Sequence, residues 1–148
     1  MRRFVTCTLL LAAACGAFDA KAQQPPLQSP EFCLALKRVE AQGIQDRFRS
    51  WRGEQVMIFY RATYLLPGAP RCGIDLENQY DCSWDVEGPD ADRLVDALAA
   101  RIKACLPGAS GIRLKGSAHA LESSAGRVEW RVTKHEKLKR VYITVEVP

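Results

Sequence analysis

The sequence has little excess charge, few chain-breaking residues and no long apolar run. Its 148 residues contain 21 Lys and Arg against 17 Asp and Glu, so the formal net charge is only +4. This excess is too small to indicate a nucleic-acid-binding protein, and like charges never form a long run. The 10 Gly and 8 Pro are too few for a collagen-like or low-complexity chain. The remaining composition is typical of a globular domain.

Motifs of common catalytic and metal sites are also missing. No Cys-x-x-Cys pair occurs, and His119 and His135 are the 2 histidines of the chain, so a zinc site is not expected. No Gly-x-Ser-x-Gly turn is present. Ser117 precedes His119 by two positions, about 7 Å along an expected strand, which is too far for a direct hydrogen bond. We therefore expect no metal and no cofactor, and a non-catalytic protein is favoured over an enzyme.

Residues 1–22 have the pattern of a cleaved secretory signal peptide. Two arginines precede an apolar run from Phe4 to Ala14, and Ala20–Ala22 matches a small-x-small cleavage site. The run is too short for a membrane span, which needs about 20 residues. We expect cleavage between Ala22 and Gln23 and a mature protein that is periplasmic or secreted and not transmembrane. Lipid attachment at Cys15 is the alternative.

The mature chain is long enough for one domain with a single core. We expect a flexible leader over residues 23–29 and one α+β domain over residues 30–148.

Four cysteines remain after cleavage, and an even number in an exported chain predicts two disulfides. Three pairings are possible. Strand alternation favours Cys72–Cys82, because the two residues would face each other across a hairpin with Asn78 in a left-handed turn position. Two antiparallel helices would bring Cys33 and Cys105 together, so we favour this second pair.

The periodicity of apolar residues predicts two helices and several strands. Ser29 and Pro30 begin a helix that extends to about Ser50, and Asp90 caps a second helix that ends at Leu106. Alternating residues predict one strand over 55–66, a hairpin over 71–86, strands near 112–114, 128–133 and 141–147, and a further short strand at 119–121. The predicted fold is α+β, with two helices packed on one face of an antiparallel sheet in the order α-β-ββ-α-βββ.

Two charged groups are candidate interaction surfaces. Strand parity places Asp75, Asp81 and Asp85 on one face of the hairpin, opposite the cysteines. Such alternation usually marks a solvated face, although paired carboxylates also serve hydrolases. A basic cluster at the last hairpin turn either contacts an anion or lipid head group or only keeps the turn solvated; it consists of Lys134, His135, Lys137, Lys139 and Arg140.

The first hypothesis for function is a protein-interaction module, such as an inhibitor or immunity factor, whose partner is another periplasmic or secreted protein. The alternatives are a small secreted hydrolase that uses the hairpin carboxylates or His119, and an envelope ligand-binding module with a deep apolar pocket between helices and sheet. The combination of a signal peptide, Phe32–Cys33, the Tyr80–Trp84 strand and Cys105–Gly108 resembles small exported bacterial proteins. That resemblance implies export and no particular activity.

Overall fold

A computed structural model describes residues 26–114 and 118–148. The signal peptide, Cys15, the cleavage site and Ser117 lie outside these residues. The elements in chain order are α1 (Pro30–Asp46), a 3₁₀ turn (Arg49–Trp51), β1 (Arg52–Val56), β2 (Phe59–Ala62), β3 (Arg71–Asp75), β4 (Tyr80–Asp85), α2 (Pro89–Cys105), β5 (Ser110–Leu114), β6 (Ala118–Ser123), β7 (Val128–His135) and β8 (Arg140–Glu146).

All eight strands belong to one antiparallel sheet with the order β1-β2-β3-β4-β8-β7-β6-β5. The predicted α+β class with an antiparallel sheet is confirmed. The element order differs from the predicted one, because the expected strand over 55–66 is a hairpin of two strands. The further short strand expected at 119–121 is present as β6, so the last segment contains four strands where the predicted order had three. The final strand β8 joins the two halves by pairing with β4, from Tyr80 opposite Val145 to Asp85 opposite Arg140.

Strand alternation divides the sheet into two faces. The core face carries Tyr80, Cys82 and Trp84 on β4, all of which are buried. Buried residues of both helices, including Leu36 and Leu98, belong to the same hydrophobic cluster as these side chains. The outer face is the opposite one, and on β3 and β4 it carries Asp75, Asp81 and Asp85.

Helix α1 begins as predicted and ends earlier. Ser29 caps it by accepting a hydrogen bond from the Phe32 N–H. It ends at Asp46 because the next two residues adopt left-handed backbone conformations and turn the buried Phe48 ring back onto the helix. A Cβ atom on Gly43 would lie 2.7 Å from Phe48 Cζ, so this close approach needs glycine.

Helix α2 begins two residues earlier than predicted, so the expectation that Asp90 caps it is wrong. Its N-cap is Gly88 with φ 63°, and Pro89 occupies the first turn. Proline fits there because the first N–H groups of a helix have no partner within it. Asp90 therefore lies inside the first turn, where it pairs with Arg93.

Both predicted disulfides are present. Cys33 near the start of α1 is bonded to Cys105 at the end of α2, and Cys72 on β3 is bonded to Cys82 on β4. Cys72 and Cys82 are directly opposite in the register, and Asn78 in the connecting turn has φ 68°, as predicted.

Candidate functional site

The first hairpin places an apolar tip at the end of the edge strand. Val56 pairs with Phe59, which leaves a two-residue turn of Met57 and Ile58. Met57 adopts φ 56°, a conformation in which hairpin turns normally have glycine. Met57 is 86% exposed and Ile58 is 72% exposed, more than the other large hydrophobic residues that the structure describes.

Ile58 of this tip lies in one wall of a groove on the outer face, which we call the outer groove. The groove has a volume of about 740 Å³. Its apolar walls come from the hairpin and from the loop between β2 and β3, and its floor comes from β3, β4 and β8. The wall residues are Val56, Ile58, Phe59, Leu65 and Pro70, and the polar floor residues include Arg71, Asp75, Asp81, Ser83, Arg140 and Tyr142.

The wall and the floor meet at Gly73. A Cβ atom on Gly73 would lie 3.4 Å from Phe59 Cδ2, so the Phe59 ring covers the backbone of β3 at this point. Gly73 is directly opposite Asp81 in the strand register. The aromatic ring therefore borders the part of the floor where Asp81 lies.

The cations that line the outer groove already have partners. Arg71 and Arg140 both form ion pairs with Asp85, the second at 3.0 Å between Nε and Oδ1. Arg61 lies 3.5 Å from Glu54 in an exposed pair. Asp85, whose side chain is 56% exposed, thus contacts two guanidinium groups at the groove margin.

Asp81 has a different environment. The Thr144 hydroxyl donates a hydrogen bond of 2.5 Å to Asp81 Oδ1. Burial raises the pKa of the Asp81 carboxyl, the Thr144 hydrogen bond lowers it, and the nearby Asp75 charge raises it further. Asp75 uses its Oδ1 to accept the N–H groups of Glu77 and Gln79 in the turn. In the described ranges, Asp75 and Asp81 form no ion pair.

The predicted basic cluster is largely neutralised within the fold. Lys134 Nζ lies 2.8 Å from Asp92, and Lys139 Nζ lies 2.7 Å from Glu87. Hydrogen bonds to these carboxylates raise the pKa of both lysines. Lys137 is exposed in the turn between β7 and β8. Among the described residues, the cluster and the three aspartates are joined by an ion pair where Arg140 meets Asp85.

His119 lies away from the outer groove and contacts helix α2. Its Nε2 is 2.8 Å from Asp96 Oδ1, and its side chain is 13% exposed. Ser117, the nucleophile considered with it, is outside the described part of the chain. Over residues 26–114 and 118–148, the structure contains no group of three His, Cys, Asp or Glu side chains that could hold a metal ion.

No protein-family model, curated protein or solved structure shows a significant match to this chain. None of the helices in the described ranges has the length and apolar character needed to cross a membrane. The geometry of the outer groove is therefore the main guide to function. Sequence reasoning found the three aspartates but missed the apolar wall, because Gln55–Tyr60 contains no turn-forming residue to reveal the hairpin.

Proposed function

We propose that this protein is an exported, non-catalytic interaction module that binds another periplasmic or secreted protein through the outer groove and the Met57–Ile58 tip. An inhibitor or immunity factor is the kind of protein that acts in this way. In this proposal residues 30–148 form one domain with both helices on the core face, so that the outer face remains free for the partner. The two disulfides brace the scaffold and support the assignment to an oxidising compartment.

The observation that carries this proposal is the combination of strain and apolar exposure at the hairpin tip. A non-glycine residue in a left-handed conformation costs about 1–2 kcal/mol. The exposed apolar side chains of Met57 and Ile58 add a risk of aggregation, and little of their surface is buried in the isolated domain. Local strain and exposed apolar patches concentrate where a protein binds a partner, and binding would bury both side chains.

The test is covalent capture in the native compartment. A photo-crosslinking amino acid at Met57 should give one adduct of defined mass, identified by mass spectrometry. The same amino acid at Leu138, which is 50% exposed on a different turn, is the matched control. The Ile58→Asp substitution should abolish the Met57 adduct. Equal labelling from both positions, or an adduct that survives Ile58→Asp, would refute the proposal.

A second candidate function is the binding of a small ligand by the outer groove. Its volume of about 740 Å³ falls in the range of small-molecule sites. The groove differs from the deep pocket expected between helices and sheet, because it lies on the outer face. Native mass spectrometry of protein purified from its own compartment would distinguish the two candidates, because a retained ligand of constant mass favours small-ligand binding.

A further inference from the structure

We propose that the outer groove receives an arginine side chain of the partner protein, with its guanidinium group on Asp81 and its aliphatic stem against Phe59. This inference rests on the proposed function and specifies the partner's anchor. It follows from three features of the groove: the charge left on its floor, the free oxygen of Asp81 and the position of the Phe59 ring.

The charge on the floor is complementary to a cation. Arg61 pairs with Glu54, and Arg71 and Arg140 share the single carboxylate of Asp85. Asp75 and Asp81 line the same groove without a cationic partner in the residues that the structure describes. The groove and its margin therefore hold four carboxylates against three guanidinium groups, so a cationic occupant would balance the remaining negative charge; the carboxylates are those of Glu54, Asp75, Asp81 and Asp85.

Asp81 offers a hydrogen-bonding position for such a cation. The Thr144 hydroxyl occupies Oδ1, and Oδ2 accepts no hydrogen bond from the described side chains. A partly buried carboxylate that is bonded only to a neutral hydroxyl is poorly compensated. An arginine fork can reach both oxygens of a carboxylate with two parallel N–H bonds, which a lysine cannot do.

The Phe59 ring supplies the rest of the site. It covers Gly73, the residue opposite Asp81, and so borders the carboxylate. An arginine can pack its methylene stem along such an apolar surface while its guanidinium group reaches the neighbouring carboxylate. Arginine side chains lie over aromatic rings at two other places in this chain, with the Arg52 guanidinium 4.5 Å from the Tyr60 ring centroid and the Arg38 guanidinium 4.7 Å from that of Tyr64.

The chemical test uses two probes of the same shape on the purified mature protein. Butylguanidinium carries the charge, and butylurea is its uncharged counterpart. Amide NMR signals of Gly73 and Ser83 should shift saturably with butylguanidinium and much less with butylurea. In Asp81→Asn, which retains the size and the Thr144 contact, the affinity for butylguanidinium should fall about tenfold or more. Asp90→Asn, an exposed acid on α2, is the matched control and should bind as the wild type does.

Equal shifts from both probes, no saturable shift from butylguanidinium, or unchanged affinity in Asp81→Asn would overturn the arginine assignment. The crosslinking experiment separates this failure from failure of the proposed function. If Ile58→Asp abolishes the Met57 adduct while Asp81→Asn leaves its yield unchanged, the interaction surface stands and the arginine anchor is wrong. If the Met57 adduct never forms, the interaction surface is wrong, and the probe experiment alone decides whether the groove selects a guanidinium.

Discussion

Removal of the two disulfides one at a time should destabilise the protein by unequal amounts. The bonds close chain segments of very different length, since the sequence separation is 72 residues for Cys33–Cys105 and 10 residues for Cys72–Cys82. In the chain-entropy treatment, the longer loop contributes about 4.4 kcal/mol and the shorter one about 2.8 kcal/mol at 25 °C. Replacement of both cysteines of a bond by alanine avoids a buried hydroxyl and tests each contribution separately.

The assay is urea unfolding of the two double-alanine variants and the wild type, monitored by tryptophan fluorescence, because the core contains Trp84 and Trp130. We expect the Cys33/Cys105 variant to lose about 1.6 kcal/mol more than the Cys72/Cys82 variant. Equal m-values across the three proteins would show that the same surface is exposed on unfolding. A larger loss from the hairpin bond would refute the reasoning, because it would mean that local packing around the sheet outweighs loop closure.

Three further substitutions test the packing and the site. Asp81→Asn should stabilise the protein at neutral pH, because burial raises the pKa of this carboxyl and its negative charge therefore costs stability above that pKa. In urea titrations the gain in the free energy of unfolding should shrink as the pH falls toward the ordinary carboxyl pKa of 3.8. A gain that grows instead would contradict the raised pKa. Gly43→Ala should lower the free energy of unfolding by about 1–3 kcal/mol, because the new Cβ would lie 2.7 Å from Phe48 Cζ. An unchanged melting temperature would show that the Phe48 ring moves freely. Met57→Gly should stabilise the isolated protein by about 1 kcal/mol, because glycine relieves the strain of the left-handed conformation. The same substitution should weaken partner binding by the Met57–Ile58 tip. A loss of stability would show that the turn is not strained.

Elements fixed by local periodicity could be predicted from the sequence. The facing positions of Cys72 and Cys82 follow from the two-residue period of a hairpin, and the left-handed Asn78 follows from the length of the turn. The bond between Cys33 and Cys105 required only that two amphipathic helices run antiparallel. The hairpin and the two helices each show a repeat that is visible within about 20 residues of sequence.

The apolar hairpin could not be predicted in the same way. Val56, Ile58, Phe59 and Tyr60 all favour strands, and a turn at Met57 contradicts the preference for glycine at such a position. Strand pairing keeps the chain turned there, since β2 pairs with β3 on one side and with β1 on the other. A site built on a locally disfavoured turn is therefore invisible to reasoning from propensity.

The three aspartates of the hairpin lie on one face of the sheet but have different environments there. The two-residue period correctly assigns Asp75, Asp81 and Asp85 to one face, but it gives them equal roles. Their neighbours come from β8, which places Thr144 beside Asp81 and Arg140 beside Asp85. Asp85 is consequently neutralised by arginine, whereas Asp81 keeps a carboxylate with a raised pKa on the floor of an apolar groove. The chemistry of the outer groove thus depends on a pairing between strands more than 50 residues apart in the chain, as the Asp85–Arg140 separation of 55 shows.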